Sequence, residues 1–157
     1  MIVFIGWVIA SALVLLTIGI HYEIMRIVSD ILIPWGLKKL HDRRIIMLMM
    51  AALIVGHILE IWIFAIAMLC ITFAPQLGYL SGNYDNTLNS LLYFSAVNYT
   101  SLGYGDIHPH GAIRSLFVSE TLAGLMMIAW SASFTYLKME QIWSLKLHRS
   151  KNMSANA

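Results

Sequence analysis

Thr100-Ser101-Leu102-Gly103-Tyr104-Gly105-Asp106 directly follows a short apolar segment, Leu88 to Tyr99 (LNSLLYFSAVNY), between two long apolar stretches. The short segment has room for about three helical turns. A bilayer crossing needs about 20 apolar residues, so the segment fits a re-entrant helix. Non-helical backbone at membrane depth is tolerated only where protein buries it or where it lines a watery path. Gly103 and Gly105 flank one tyrosine and open backbone conformations closed to other residues. Successive carbonyls can then face one axis, a row of hard oxygen ligands able to replace the water around a cation. The preceding helix would aim its negative C-terminal end at the same axis.

The rest of the chain supplies a membrane for this stretch to sit in. Of 157 residues, 59% are hydrophobic and 11% charged, with a formal net charge of +2. A soluble domain carries about 25% charged residues, and so few leave too little polar surface to coat one. Soluble enzyme, secreted domain and disordered scaffold are therefore poor readings. The single cysteine, Cys70, excludes an internal disulfide framework and a four-cysteine metal site; it reads as a small apolar residue near the end of a span. Three stretches are long enough to cross: Met1 to Ile20, Ile45 to Phe73 (interrupted by His57 and Glu60), and Ile113 to Leu137 (with Arg114 and Glu120). The first lacks the cationic leader of a signal peptide and has a longer apolar run, which favours a retained span.

Of the ten Lys and Arg, five lie between residues 26 and 44 and four at or beyond 138, whereas residues 74–112 have none. Cations clustered on one solvated face would suit nucleic acid. Cations bracketing apolar runs suit membrane topology, with the cationic segments cytoplasmic. The expected organisation is a span at 1–20, a cytoplasmic amphipathic connection at 21–44, an outer helix at 45–73, and an exposed turret at 74–87. A re-entrant helix at 88–99, a loop at 100–106, a third span at 113–137 and a cytoplasmic tail at 138–157 complete it. The N-terminus is then outside and the C-terminus inside. In the connection, Ile24, Ile27, Val28, Ile31, Leu32 and Trp35 form one helical stripe. It either lies in the interface or continues the first helix; Pro34 with Gly36 should end it in either case. Asp85, Asn86 or Thr87 should cap the re-entrant helix, and Lys151 to Ala157 should be disordered.

The 100–106 stretch resembles the selectivity filter of potassium channels, whose loops read TVGYG and coordinate the ion with backbone carbonyls. The resemblance spans residues 45–137, and the chain is similar to the small tetrameric potassium channels with two helices around one pore loop, plus an extra N-terminal span. It implies an all-α integral membrane fold with three transmembrane helices and a re-entrant pore helix and filter loop between the second and third. It also implies K+ as the transported ion, bound by Ser101, Leu102, Gly103 and Tyr104. Gly103, Tyr104 and Gly105 match the Gly-Tyr-Gly core. Leu102 stands where valine or isoleucine is usual. Ser101 replaces a threonine, keeping its hydroxyl and losing a methyl. Thr100 and Asp106 flank the filter as supports, and Tyr93 with Phe94 match the aromatic pair that braces it. Val97 stands where some bacterial members place a glutamate that partners the aspartate. One pore loop per chain implies a homotetramer. Gly124 on the third span is either a gating hinge or a small residue allowing close packing.

Acids inside spans rarely face lipid. His57 and Glu60 are i, i+3 neighbours that can pair. They and Glu120 are either packing anchors or pH sensors, since imidazole titrates near neutral. Ile128, Ser131, Ala132 and Thr135 are candidate cavity lining; Ser131 or Ser133 can alternatively bond back to its own helix. His108 and His110 read as solvated loop residues, too few ligands for a metal site. Asn98-Tyr99-Thr100 matches a glycosylation pattern but would sit against the filter. No helix carries regularly spaced cations, so no voltage sensor is expected. The sequence therefore reads as a passive potassium channel, not an enzyme. It implies no cofactor, no nucleic acid and no soluble substrate, and homotetramer and lipid as partners. The alternatives are a weakly selective cation channel, a non-conducting membrane regulatory subunit, or a metal or redox site at His57, Glu60 and Glu120.

Overall fold

The computed structural model describes the backbone of residues 1–85 and 87–155 and side chains through Ser144. Helix α1 (Ile2–Ile27) runs through a π-helical turn (Val28–Leu32) into α2 (Ile33–Lys39). Helix α3 (Asp42–Thr72) follows, then a 3-10 turn (Pro75–Leu77), strand β1 (Gly78–Gly82), the short helix α4 (Leu88–Tyr99), strand β2 (Ile107–Gly111) and α5 (Arg114–Ala155). Three helical stretches are long and apolar enough to cross a membrane: Ile2–Lys39, Asp42–Thr72 and Arg114–Ser144. The fold is an all-α membrane architecture carrying one small hairpin-like sheet.

Helix α1 is apolar all round, so hydrophobicity does not choose its inner face. Its buried residues are Gly6, Ala10, Thr17, His21 and Met25, a stripe of small and polar side chains, while Leu15, Leu16 and Trp7 lie exposed. In lipid, helices gain nothing by hiding leucine and associate where small residues let backbones approach. At Gly6 a Cβ would lie 2.6 Å from the Ala112 carbonyl oxygen, which brings the start of α1 against the start of α5.

The connection after the first span is a continuation of its helix, not a separate element. The expected stop at Pro34 and Gly36 is absent; the helix runs on to Lys39 and ends where Leu40 turns extended (φ −125°, ψ 162°). Proline lacks the N–H that would bond four residues back and clashes with that carbonyl. The π-helical turn just upstream widens the helix there and accommodates the ring. Of the sequence stripe, Val28 is buried, whereas Ile27, Ile31 and Trp35 are exposed. Gly36 packs on α3, where a Cβ would meet Ile45 Cγ1 at 2.9 Å.

Thr87 caps α4: its hydroxyl accepts from the Ser90 N–H at 3.3 Å. The Asp85 carboxylate takes bonds from the hydroxyls of Ser90 and Thr87, which hold its carboxyl below the usual range. Asn86, the third capping candidate, lies outside the described residues. The turret is more than turns: β1 pairs antiparallel with β2, from Gly78 opposite Gly111 to Gly82 opposite Ile107. Neither strand alternates apolar and polar residues cleanly, and β2 contains Pro109.

Helix α5 continues from the 113–137 span into the tail, as expected for its start, and its backbone stays helical to Ala155, through most of Lys151–Ala157, the stretch expected to be disordered; Asn156 and Ala157 lie outside the described residues. Ile142 explains part of the extension, since it is buried against Met25, Ile45 and Met49. That cluster fills one end of the bundle. A second, around Phe64, Met68, Leu91, Phe94 and Phe117, fills the end nearer the 100–106 loop. A layer of polar side chains lies between them.

Candidate ion pathway and the polar layer beside it

The chain leaves α4 in a tight return. The Thr100 N–H still donates to the Ala96 carbonyl (3.1 Å), and the Val97 carbonyl accepts from both Leu102 (2.9 Å) and Gly103 (3.4 Å). Along the loop, Ser101, Gly103 and Gly105 have positive φ (58°, 56° and 72°), and the residues between them do not. Alternating left-handed with ordinary backbone turns successive peptide units the same way, so amides gather on one side and carbonyls on the other. Glycine adopts this freely; for Ser101 it costs about 1–2 kcal/mol. Strain of this kind concentrates at binding sites and switches. Leu102 and Tyr104 are 57% and 66% exposed, so among the described residues little covers the loop.

Behind the loop, Tyr93 and Asp106 line one shared recess, while Phe94 is buried against Phe117 (ring centroids 4.8 Å apart). The aromatic pair is thus divided, one ring serving the loop and the other α5. Val97 is buried and apolar and brings no polar partner to Asp106. Thr100 bonds back to the Ala96 carbonyl (2.7 Å), and Asn98 to that of Phe94 (2.9 Å). His110 belongs to the sheet, bonded to Ser81 (2.7 Å) and stacked on Tyr79; His108 is exposed. At Gly124, α5 passes directly beneath the end of α4: a Cβ there would lie 2.0 Å from the Tyr99 carbonyl oxygen. This contact accounts for the glycine by packing. Ile128, Ser131, Ala132 and Thr135 line, with Leu53 and His57, an open apolar cleft of about 460 Å³ between α3 and α5.

Glu60 and Glu120 lie in separate networks. The Ser95 hydroxyl ties α4 to α3 through the Ile61 carbonyl (2.9 Å) and to α5 through the Glu120 carboxyl. Glu60 is fully buried and sits in a larger set. His21 Nδ1 bonds Glu60 Oε1 (2.8 Å), and the Tyr99 hydroxyl donates to Glu60 Oε2. His57 Nδ1 meets the Tyr99 hydroxyl (2.9 Å). The Ser131 hydroxyl lies between His21 Nε2 (3.0 Å) and His57 Nε2 (3.1 Å). His57 therefore reaches Glu60 mainly through Tyr99, its own Nδ1 being 3.6 Å from Oε2. Donor atoms of His21, His57 and Glu60 lie within 4.8 Å of one another, and every polar atom among them already has a hydrogen-bond partner. Sequence reasoning missed His21 altogether and gave Tyr99 no role. The available signal was a lone histidine four residues from Thr17 and from Met25 on an otherwise apolar helix.

Residues 45–141 match a family model described as an ion channel. No curated protein and no solved structure matches the chain. The family match begins in α3, takes in the short helix α4 and the loop with alternating φ, and ends in α5. Since it spans more than half of the sequence, this protein belongs to the ion channel family.

Proposed function

We propose that the protein conducts potassium passively and selectively as a homotetramer. The observation that carries this reading is the alternation of left-handed backbone at Ser101, Gly103 and Gly105, immediately after a short helix of re-entrant length. One such loop supplies a single column of oxygens. Four around an axis replace the hydration shell of the ion, which passes along the carbonyls of Ser101 to Tyr104, with the Ser101 hydroxyl at the innermost position. The C-terminal end of α4 carries partial negative charge and favours a cation on that axis. The exposure of Leu102 and Tyr104 fits a loop completed by neighbouring copies. The filter side is outside, with the N-terminus, and the cationic segments are cytoplasmic.

Purified protein in a planar bilayer between potassium and sodium solutions tests this. The current should reverse close to the potassium equilibrium potential. Reversal at zero would make the protein a weakly selective cation channel, and silence a non-conducting subunit.

A further inference from the structure

Five side chains from four helices close into one hydrogen-bonded ring: Glu60 to His21, His21 to Ser131, Ser131 to His57, His57 to Tyr99, and Tyr99 back to Glu60. Each of the five links needs one hydrogen. Tyr99 donates to Glu60 Oε2, so its oxygen accepts from His57 Nδ1–H; with Glu60 ionised, His21 Nδ1–H donates to Glu60 Oε1. Both Nε2 atoms then face Ser131, whose hydroxyl has a single proton. It donates to one, and the other must itself carry hydrogen and donate to Ser131 Oγ. An ionised carboxylate, a phenol, a hydroxyl and two neutral imidazoles hold four of these protons. The closed ring holds a fifth, which sits on one imidazole and balances the Glu60 charge when Glu60 is ionised; on Glu60 instead, it would leave both imidazoles neutral.

We propose that this ring is a proton-binding site that closes with one bound proton and couples conduction to pH. The proton passes between His57 Nε2 and His21 Nε2 through Ser131: one imidazole gives its proton to Oγ as Oγ gives its own to the other, with no net change. With four protons, one link has two acceptors and the buried site is negative. With six, Ser131 has no acceptor in the ring, and two imidazoliums face each other with centroids 5.1 Å apart. Either neighbouring state buries a net charge and breaks the loop. His21 comes from α1, His57 and Glu60 from α3, and Tyr99 from α4. On α5, Glu120 is the titratable group near Tyr99, and Trp130 flanks His21 without titrating. Tyr99 is the last residue of α4, and Thr100 begins the loop, so the ring state reaches the filter without an intervening element.

Two measurements on the full chain test the site. In detergent micelles, nitrogen-15 spectra of the labelled histidines should show His21 and His57 sharing one imidazolium across a plateau near pH 7. Ser131→Ala should abolish that sharing. Both rings neutral on the plateau, or signals moved by a zinc chelator, would overturn the proposal, the latter in favour of a metal. In liposomes, potassium flux should be bell-shaped between about pH 5 and 9, falling about tenfold at each end. His21→Gln with His57→Gln should flatten the profile to within about twofold. A flat wild-type profile, or a double variant that keeps the bell, would overturn the coupling. This second arm rests on the potassium reading and the first does not, so a chain that never conducts but shows the shared imidazolium separates the two failures.

Discussion

Gly124→Ala should unseat the pore helix. The added Cβ would lie 2.0 Å from the Tyr99 carbonyl oxygen and 3.0 Å from its ring Cγ. The nearer atom is backbone and cannot rotate away, so α4 or α5 must move. Overpacking of this kind costs about 1–3 kcal/mol where neighbours can adjust, and here the moving group is the residue just before the filter loop. The shift also carries the Tyr99 hydroxyl away from Glu60 and His57. The expected result is a lowered thermal midpoint in detergent together with at least about a tenfold loss of potassium flux, since 1.4 kcal/mol is already a factor of ten. Gly19→Ala is the matched control: no atom lies within 4 Å of its Cβ position, and alanine favours a helix. A Gly124→Ala protein as stable as the Gly19→Ala protein would contradict the close crossing. A change in opening with no loss of stability would instead make Gly124 a hinge.

Glu60→Ala should be the most destabilising single change in the polar layer. It removes the acceptor for both His21 and Tyr99 and leaves the bound proton of the ring without its counter-charge. Breaking a buried pair by deleting one partner costs about 3–5 kcal/mol. Glu60→Gln keeps the shape and one acceptor oxygen, so it should fall between alanine and the native chain. Thermal unfolding of the three proteins in one detergent gives the order. Equal midpoints for Glu60→Ala and the native chain would show that α1, α3, α4 and α5 meet without depending on this carboxylate.

The spans and the re-entrant helix were legible because they rest on one-dimensional signals. Length separates Leu88–Tyr99 from its longer neighbours. The inner face of α1 was not legible by hydrophobicity, because every face of that helix is apolar. It is written in Gly6, Ala10, Thr17 and His21 instead. The stop expected at Pro34 failed because a local rule was overridden by a π-helical turn that no composition signal marks. The β1–β2 pairing depends on the filter loop bringing Ile107–Gly111 back beside Gly78–Gly82, a tertiary event. Within the polar layer, the i, i+3 spacing of His57 and Glu60 was visible. Their partners His21, Tyr99 and Ser131 lie 39 to 74 residues away along the chain, and a single sequence does not reveal such distant neighbours. Glu120 was grouped with Glu60 by residue type, whereas Ser95 draws it into a different set of bonds.

Potassium conduction as proposed requires four copies of the Ser101–Tyr104 backbone to hold a monovalent cation on a shared axis. Anomalous scattering from crystals of the purified protein grown in thallium, a potassium substitute, tests it most directly. Thallium peaks should appear in a row on a fourfold axis, level with those carbonyls. A molecule without fourfold symmetry, or one whose axis holds no thallium while these carbonyls face elsewhere, would contradict it.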